Sequence, residues 1–107
     1  MTININTLIF ECIIGILDFE RHTPQKVSVD VEIAYPYKDE FIDYSHVTEH
    51  IKISMKKYQF KLIEEALISL QNSLKQDFPQ ITSLSLTISK PDILPDCRVS
   101  VTQKLNY

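Results

Sequence analysis

The sequence predicts an α+β chain in ββααββ order, with an antiparallel four-stranded sheet and two helices on one of its faces. Three observations predict it. Lys26 to Tyr35 alternates strictly, with Val27, Val29, Val31, Ile33 and Tyr35 on one side and Ser28, Asp30, Glu32 and Ala34 on the other. That period of two marks a half-buried strand. Two apolar stripes at helical spacing follow, and two further alternating segments close the chain. Strand pairs flanking a helix pair bury their apolar sides best as one sheet layer under one helix layer.

Each element has its own signal. Ile3 to Ile14 is apolar and β-branched with one charge, Glu11, and reads as the first strand. Gly15, the only glycine, breaks it, and a polar loop with Pro24 near its end leads to Gln25. Pro36 to Asp43 is a polar connector. Asp43 or Ser45 can cap the first helix. Its stripe is Val47, Ile51, Met55 and Tyr58, and it ends near Gln59. The second helix is expected from about Lys61 to Phe78, with Ile63, Ala66, Leu67, Leu70, Leu74 and Phe78 inward and Pro79 as its stop. Leu84, Leu86 and Ile88 alternate with Ser83, Ser85, Thr87 and Ser89. Lys90-Pro91 to Pro95 is a turn. Cys97, Val99 and Val101 alternate with Arg98, Ser100 and Thr102 as the last strand.

Composition narrows the function. At 107 residues and 44% hydrophobic, residues 1–107 are expected to form a single domain with one core. A net charge of −3 gives no basic stripe for nucleic acid, and only Arg21 and Arg98 could clamp phosphate in bidentate fashion. A single glycine excludes glycine-rich phosphate loops. Cys12 and Cys97, both in apolar runs, read as buried thiols in a reducing compartment. With no basic, apolar leader and no membrane-length window, the chain reads as soluble and cytoplasmic. Ser28, Ser85, Thr87, Ser100 and Thr102 give the uncovered sheet face small hydroxyls instead of Lys and Glu. Together with two open sheet edges, this points to sheets from several subunits joined around a polar bore.

Four residues could do chemistry. Glu64 falls beside the apolar stripe of the second helix, while Glu65 lies on the water side. Glu64 is either a boundary carboxylate reaching into water or a partly buried one accepting two parallel hydrogen bonds from a guanidine-like edge. Lys90 ends a strand, and Pro91 biases it to extended backbone. It is either a solvated strand-end lysine or a lysine aimed for proton transfer, which would need a tuning neighbour. Glu20 is that neighbour if the two loop ends meet. Tyr44 either packs at a helix start or relays a proton. Gln25 has an ordinary loop role. His46 and His50 are spaced as zinc ligands can be, with His22 in a loop. A zincin helix needs Glu directly after its first histidine, and here Val47 follows. Lys52, Lys56, Lys57 and Lys61 read as a solvated face.

In this order Gly15 to Gln25, Asp43-Tyr44, Leu62-Ile63-Glu64 and Ser89-Lys90-Pro91 resemble the dihydroneopterin aldolase family, over nearly the whole chain. The resemblance implies the tunnelling fold, or T-fold. Four subunits close a barrel, commonly as two stacked rings, so a homo-tetramer or homo-octamer is expected. It implies a site shared between subunits, with Tyr44 contributed by the neighbour. It implies Lys90, Glu20 and Tyr44 as catalytic residues, and Glu64, Ile63, Asp43 and Tyr44 as contacts to a small pterin substrate. Glu64 would hold the amino-pyrimidinone edge. The implied reaction is retro-aldol cleavage of dihydroneopterin to hydroxymethyl dihydropterin and glycolaldehyde, in folate biosynthesis. The substrate ring is the electron sink, so no cofactor, metal or lysine Schiff base is expected, and no nucleic acid or membrane partner. The Ala34–Asp43 connector is shorter than is usual in the family. Ile14 stands where histidine is frequent, and Leu67 where alanine is common. An epimerase acting on dihydroneopterin or its triphosphate, or a non-catalytic pterin-binding module of the same fold, are the alternatives. A triphosphate would want more basic residues. A pure binding module would need Glu64 but not Glu20, Tyr44 and Lys90 together.

Overall fold

The computed structural model describes residues Met1–Tyr107. The elements are β1 (Thr2–Cys12), a 3-10 turn (Asp18–Arg21), β2 (Gln25–Ala34), α1 (Tyr44–Tyr58), α2 (Ile63–Asp77), β3 (Ser83–Lys90) and β4 (Val99–Asn106). The strands form one antiparallel sheet in the order β1-β2-β3-β4. The expected ββααββ fold is therefore present. β1 pairs with β2 and β3 with β4 as local hairpins. The β2–β3 ladder, Ser28↔Ser89 to Ala34↔Ser83, joins the two halves across the helices.

The alternation of β2 becomes burial. Val27, Val29, Val31 and Ile33 are buried, and the residues between them face the opposite side. Leu84, Leu86 and Ile88 do the same on β3. Helix α1 packs against β1, and α2 against β3 and β4. Val47, Ile51 and Met55 are the inward stripe of α1; Ile63, Ala66, Leu67, Leu70 and Leu74 are that of α2. Full burial of a side chain such as Leu70 contributes about 1.5–3 kcal/mol. Asp43 caps α1: its Oδ1 accepts from Ser45 N at 2.9 Å and from Ser45 Oγ at 2.6 Å. These bonds hold the Asp43 carboxyl below its ordinary range.

Several expectations are corrected. Tyr58 is 57% exposed: it is the last residue of α1, and its ring lies against Phe60, 5.8 Å between centroids, and under Lys57 Nζ rather than in the core. Cys97 is exposed and precedes β4, which starts at Val99; the residues after Pro91 are turns and bends. Only Cys12 is a buried thiol, and burial, opposed by the charges of Lys56 and Lys90, raises it to about 11. β1 is not regular. Its register shifts between Ile5 and Leu8, and Thr7 takes a left-handed φ of 59°. Thr7 N donates to Asp30 Oδ1 at 2.7 Å, which holds the bulge in a conformation a β-branched residue disfavours.

The uncovered sheet face is also less uniform than expected. Rows of Ser28, Ser89 and Ser100, and of Asp30, Thr87 and Thr102, cross its middle. Thr87 and Thr102 share a hydroxyl hydrogen bond of 2.7 Å. The next row, however, is Asn4, Glu32, Ser85 and Lys104, so hydroxyls are flanked by charge at one end.

Candidate functional site

Lys90 has the same parity on β3 as Leu86 and Ile88, so it points to the helix side of the sheet rather than to the hydroxyl face. It is only 8% exposed. The segment after β1 comes down over it. Gly15 turns with φ +131°, and a Cβ there would overlap the Glu20 carboxylate. Glycine is thus required both for the turn and for the close approach. The 3-10 turn then aims Glu20 inward, where it is 3% exposed.

The two residues meet. Lys90 Nζ donates to Glu20 Oε2 at 2.8 Å. Gln25 Nε2 donates to the same oxygen at 2.8 Å and to Ile14 O at 2.6 Å. Leu17 N donates to Glu20 Oε1 at 3.2 Å. Burial alone would raise the Glu20 carboxyl. Donation from Lys90, Gln25 and Leu17 outweighs it and leaves the carboxyl below its ordinary value. Glu20 is therefore an ionised acceptor with both oxygens occupied, and it fixes where the Lys90 ammonium sits. The condition that the two loop ends meet is fulfilled. Gln25 is a member of the network that the sequence did not single out. Its sequence signals were its place at the end of the Gly15-to-Gln25 motif and the inward parity it shares with Val27.

The remaining candidates are elsewhere. Glu64 lies in the first turn of α2 and is exposed, not half-buried, with its carboxylate in solvent. Ile63, one residue before it, is buried at the helix start. Glu65 was expected to stand free in water. It is exposed, yet its Oε1 accepts from Leu62 N at 3.0 Å and so caps α2. Tyr44 is 66% exposed at the start of α1. No hydrogen bond links Tyr44, Asp43 or Glu64 to the Glu20–Lys90 pair.

Other clusters offer less chemistry. No three His, Cys, Asp or Glu side chains converge as a metal cage. His46 lies 3.6 Å from Asp43 rather than beside His50. His50 joins the helices instead: Nε2 is 2.7 Å from Ser73 Oγ, and Nδ1 is 3.0 Å from Asp77 Oδ2. That connectivity is the one a hydrolytic triad uses. Ser73, though, lies inside α2, where backbone amides are taken by helical bonds, so nothing there would hold an oxyanion. A concavity of about 260 Å³ lies on the uncovered sheet face at Glu32, Ser85 and Lys104, and neither Glu20 nor Lys90 lines it.

The family model described as FolB, dihydroneopterin aldolase, matches residues 3–104. The chain belongs to the dihydroneopterin aldolase family. Solved structures agree in fold. A Vibrio cholerae protein assigned as a dihydroneopterin aldolase superposes with TM-score 0.91 at 22% identity, covering 100% of this chain and 98% of that one. Escherichia coli dihydroneopterin aldolase in complex with neopterin gives 0.90 at 20% identity and 99% coverage of both chains. Dihydroneopterin aldolase from Burkholderia thailendensis, bound to guanine, gives 0.81 at 18% identity, covering 100% of this chain and 91% of that one. A search of curated proteins returned no match. The family and the fold together make this a T-fold protein of aldolase type. No helix is long and apolar enough to cross a membrane.

Proposed function

We propose that this protein cleaves dihydroneopterin to hydroxymethyl dihydropterin and glycolaldehyde, with Lys90 and Glu20 as the proton-handling pair. The observation that carries the proposal is the buried 2.8 Å contact between these two residues, made by segments far apart in the chain of an aldolase-family fold. A pterin ligand is supported by the related structures. Neopterin and guanine share an amino-pyrimidinone edge, which is the edge a carboxylate such as Glu64 pairs with through two parallel hydrogen bonds.

The reaction needs little from the protein beyond placement and proton transfer. The hydroxyl on the second side-chain carbon loses its proton and becomes the carbonyl of glycolaldehyde. The bond between the first and second side-chain carbons breaks. Its electron pair passes into the ring C=N bond and forms an enamine. Protonation of the first carbon then returns the ring to its imine form as hydroxymethyl dihydropterin. The ring holds the electrons throughout, so neither a lysine imine nor a metal ion has to do so. Lys90 is the group that exchanges protons, and Glu20 and Gln25 hold its ammonium in one place. Ile63 and Asp43 border the ligand. Tyr44 comes from a neighbouring subunit in a tetramer or octamer, consistent with its exposure and its distance from any partner in its own chain.

The direct test is to incubate chelator-treated protein with dihydroneopterin and measure glycolaldehyde. Stoichiometric production of glycolaldehyde and hydroxymethyl dihydropterin is expected. Conversion only to the epimer, or no conversion, would contradict the proposal.

A further inference from the structure

The guanidinium of Arg21 has no carboxylate partner and donates instead to three backbone carbonyls. Arg21 follows Glu20 in the 3-10 turn. Its Nη1 donates to Gly15 O at 3.1 Å and to Phe60 O at 3.3 Å, and its Nη2 donates to Gln59 O at 3.0 Å. Phe60 O also accepts from Gly15 N at 3.1 Å. The guanidinium thus lies between two strands of backbone that are distant in sequence. One is the turn that carries Glu20. The other is the link from α1 to α2, which continues through Leu62 and Ile63 to Glu64.

That link needs holding. Gln59 ends α1 in a left-handed conformation, φ 48° and ψ 57°, which a non-glycine residue adopts at some cost. The Gln59 carbonyl, at the C-cap, lies at the negative end of α1, where a cation is favoured. A planar guanidinium can donate to three carbonyls in fixed directions; an ammonium cannot span them in the same way.

The consequence concerns the two ends of the ligand. Glu64 would grip the ring edge in both ground and transition states. Glu20 and Lys90 would act on the side chain only while bonds change. Their relative position is set by backbone, and Arg21 is the one side chain that bonds both segments. We propose that Arg21 is a positioning residue that fixes the register between the pterin anchor and the proton-handling pair. This rests on the aldolase reading given above. Misplacement of reacting groups by about 1 Å can cost on the order of a hundredfold in rate without loss of affinity.

The test compares Arg21→Ala and Arg21→Lys with the unsubstituted protein in three measurements: kcat on dihydroneopterin, Kd for neopterin by fluorescence titration, and the thermal unfolding midpoint. In folded Arg21→Ala, kcat should fall about tenfold or more while Kd changes less than about threefold. Millimolar guanidinium chloride should restore part of that kcat, and should not restore Lys90→Ala. If Arg21→Ala does not fold, Arg21→Lys decides by the same split between kcat and Kd. Unchanged kcat in the folded variant overturns the proposal. So does a loss of kcat matched by an equal rise in Kd. An unsubstituted protein that releases no glycolaldehyde overturns the aldolase reading and this proposal with it. An active protein indifferent to Arg21→Ala overturns this proposal alone.

Discussion

Glu20 and Lys90 meet inside one chain, buried and saturated with hydrogen bonds, whereas Glu64 and Tyr44 stand in solvent with no partner. The first region is finished by folding. Its carboxylate accepts from Lys90, Gln25 and Leu17, so its geometry is fixed before any ligand arrives. The second region is open. A carboxylate in water recognises a ligand poorly, because water competes for its lone pairs. It gains strength only when ligand and neighbour exclude that water. On the function proposed above, labour would be divided: proton handling would be organised within a subunit, and recognition between subunits.

Substitutions in the two regions should therefore differ in kind. The largest effect belongs to the finished region. Lys90→Ala should lower turnover about a hundredfold or more while pterin binding stays within about tenfold. It should also lower the unfolding midpoint, since it leaves the Glu20 carboxylate buried without its cation. Full turnover in Lys90→Ala would erase the distinction between the regions.

Glu64→Ala should behave in the opposite way. We expect neopterin binding to weaken by roughly 2 kcal/mol, because ligand donors are left unpaired in a desolvated site. The unfolding midpoint should hardly move, because Glu64 makes no hydrogen bond in its own chain. Glu65→Ala sharpens the comparison. It removes the acceptor for Leu62 N and should cost about 0.5–1 kcal/mol of stability while leaving affinity nearly intact. Equal binding losses at 64 and 65 would mean that the anchor is misassigned.

The smallest effect is on pH dependence. The Glu20 carboxyl lies below its ordinary 4.5 in the folded chain, so its stabilisation is complete above that value. It is lost as pH falls through the lower, folded-state value. Acid unfolding curves should show this loss below about 4.5, and Glu20→Gln should flatten that part of the curve. A curve unchanged by Glu20→Gln would show that the carboxylate contributes nothing as an ion.

What was legible in the sequence was what a period exposes. The alternation of β2 and β3 gave the buried faces, and the same parity carried Lys90 to the helix side. The stripe of α2 gave five of its six expected core residues; the sixth, Phe78, is the residue after the helix and is only partly buried. Contacts between distant segments were not legible. Gln25 reads as a loop residue until Glu20 is placed beside it, and Arg21 meets Phe60 across 39 positions with no local pattern to announce it. The bulge at Thr7 was hidden for another reason: nothing in Asn6-Thr7 signals a turn, and the aspartate that sustains it lies on the next strand. Cys97 was misread because two valines after it continue its alternation, although the strand itself begins only at Val99.

The Glu20–Lys90 contact joins residues 70 positions apart, and this has a bearing on how the chain acquires its shape. The β1–β2 and β3–β4 hairpins close short loops and can form early. The contact requires β3 to have docked on β2 across both helices, a long closure whose entropy must be met before any long-range bond forms. Until then the Glu20 carboxylate has no cation to justify leaving water. A nascent chain that has not yet delivered Lys90 should therefore keep its Gly15–Gln25 segment open and hydrated. Hydrogen exchange at Leu17 N would consequently report the last step of folding rather than the first.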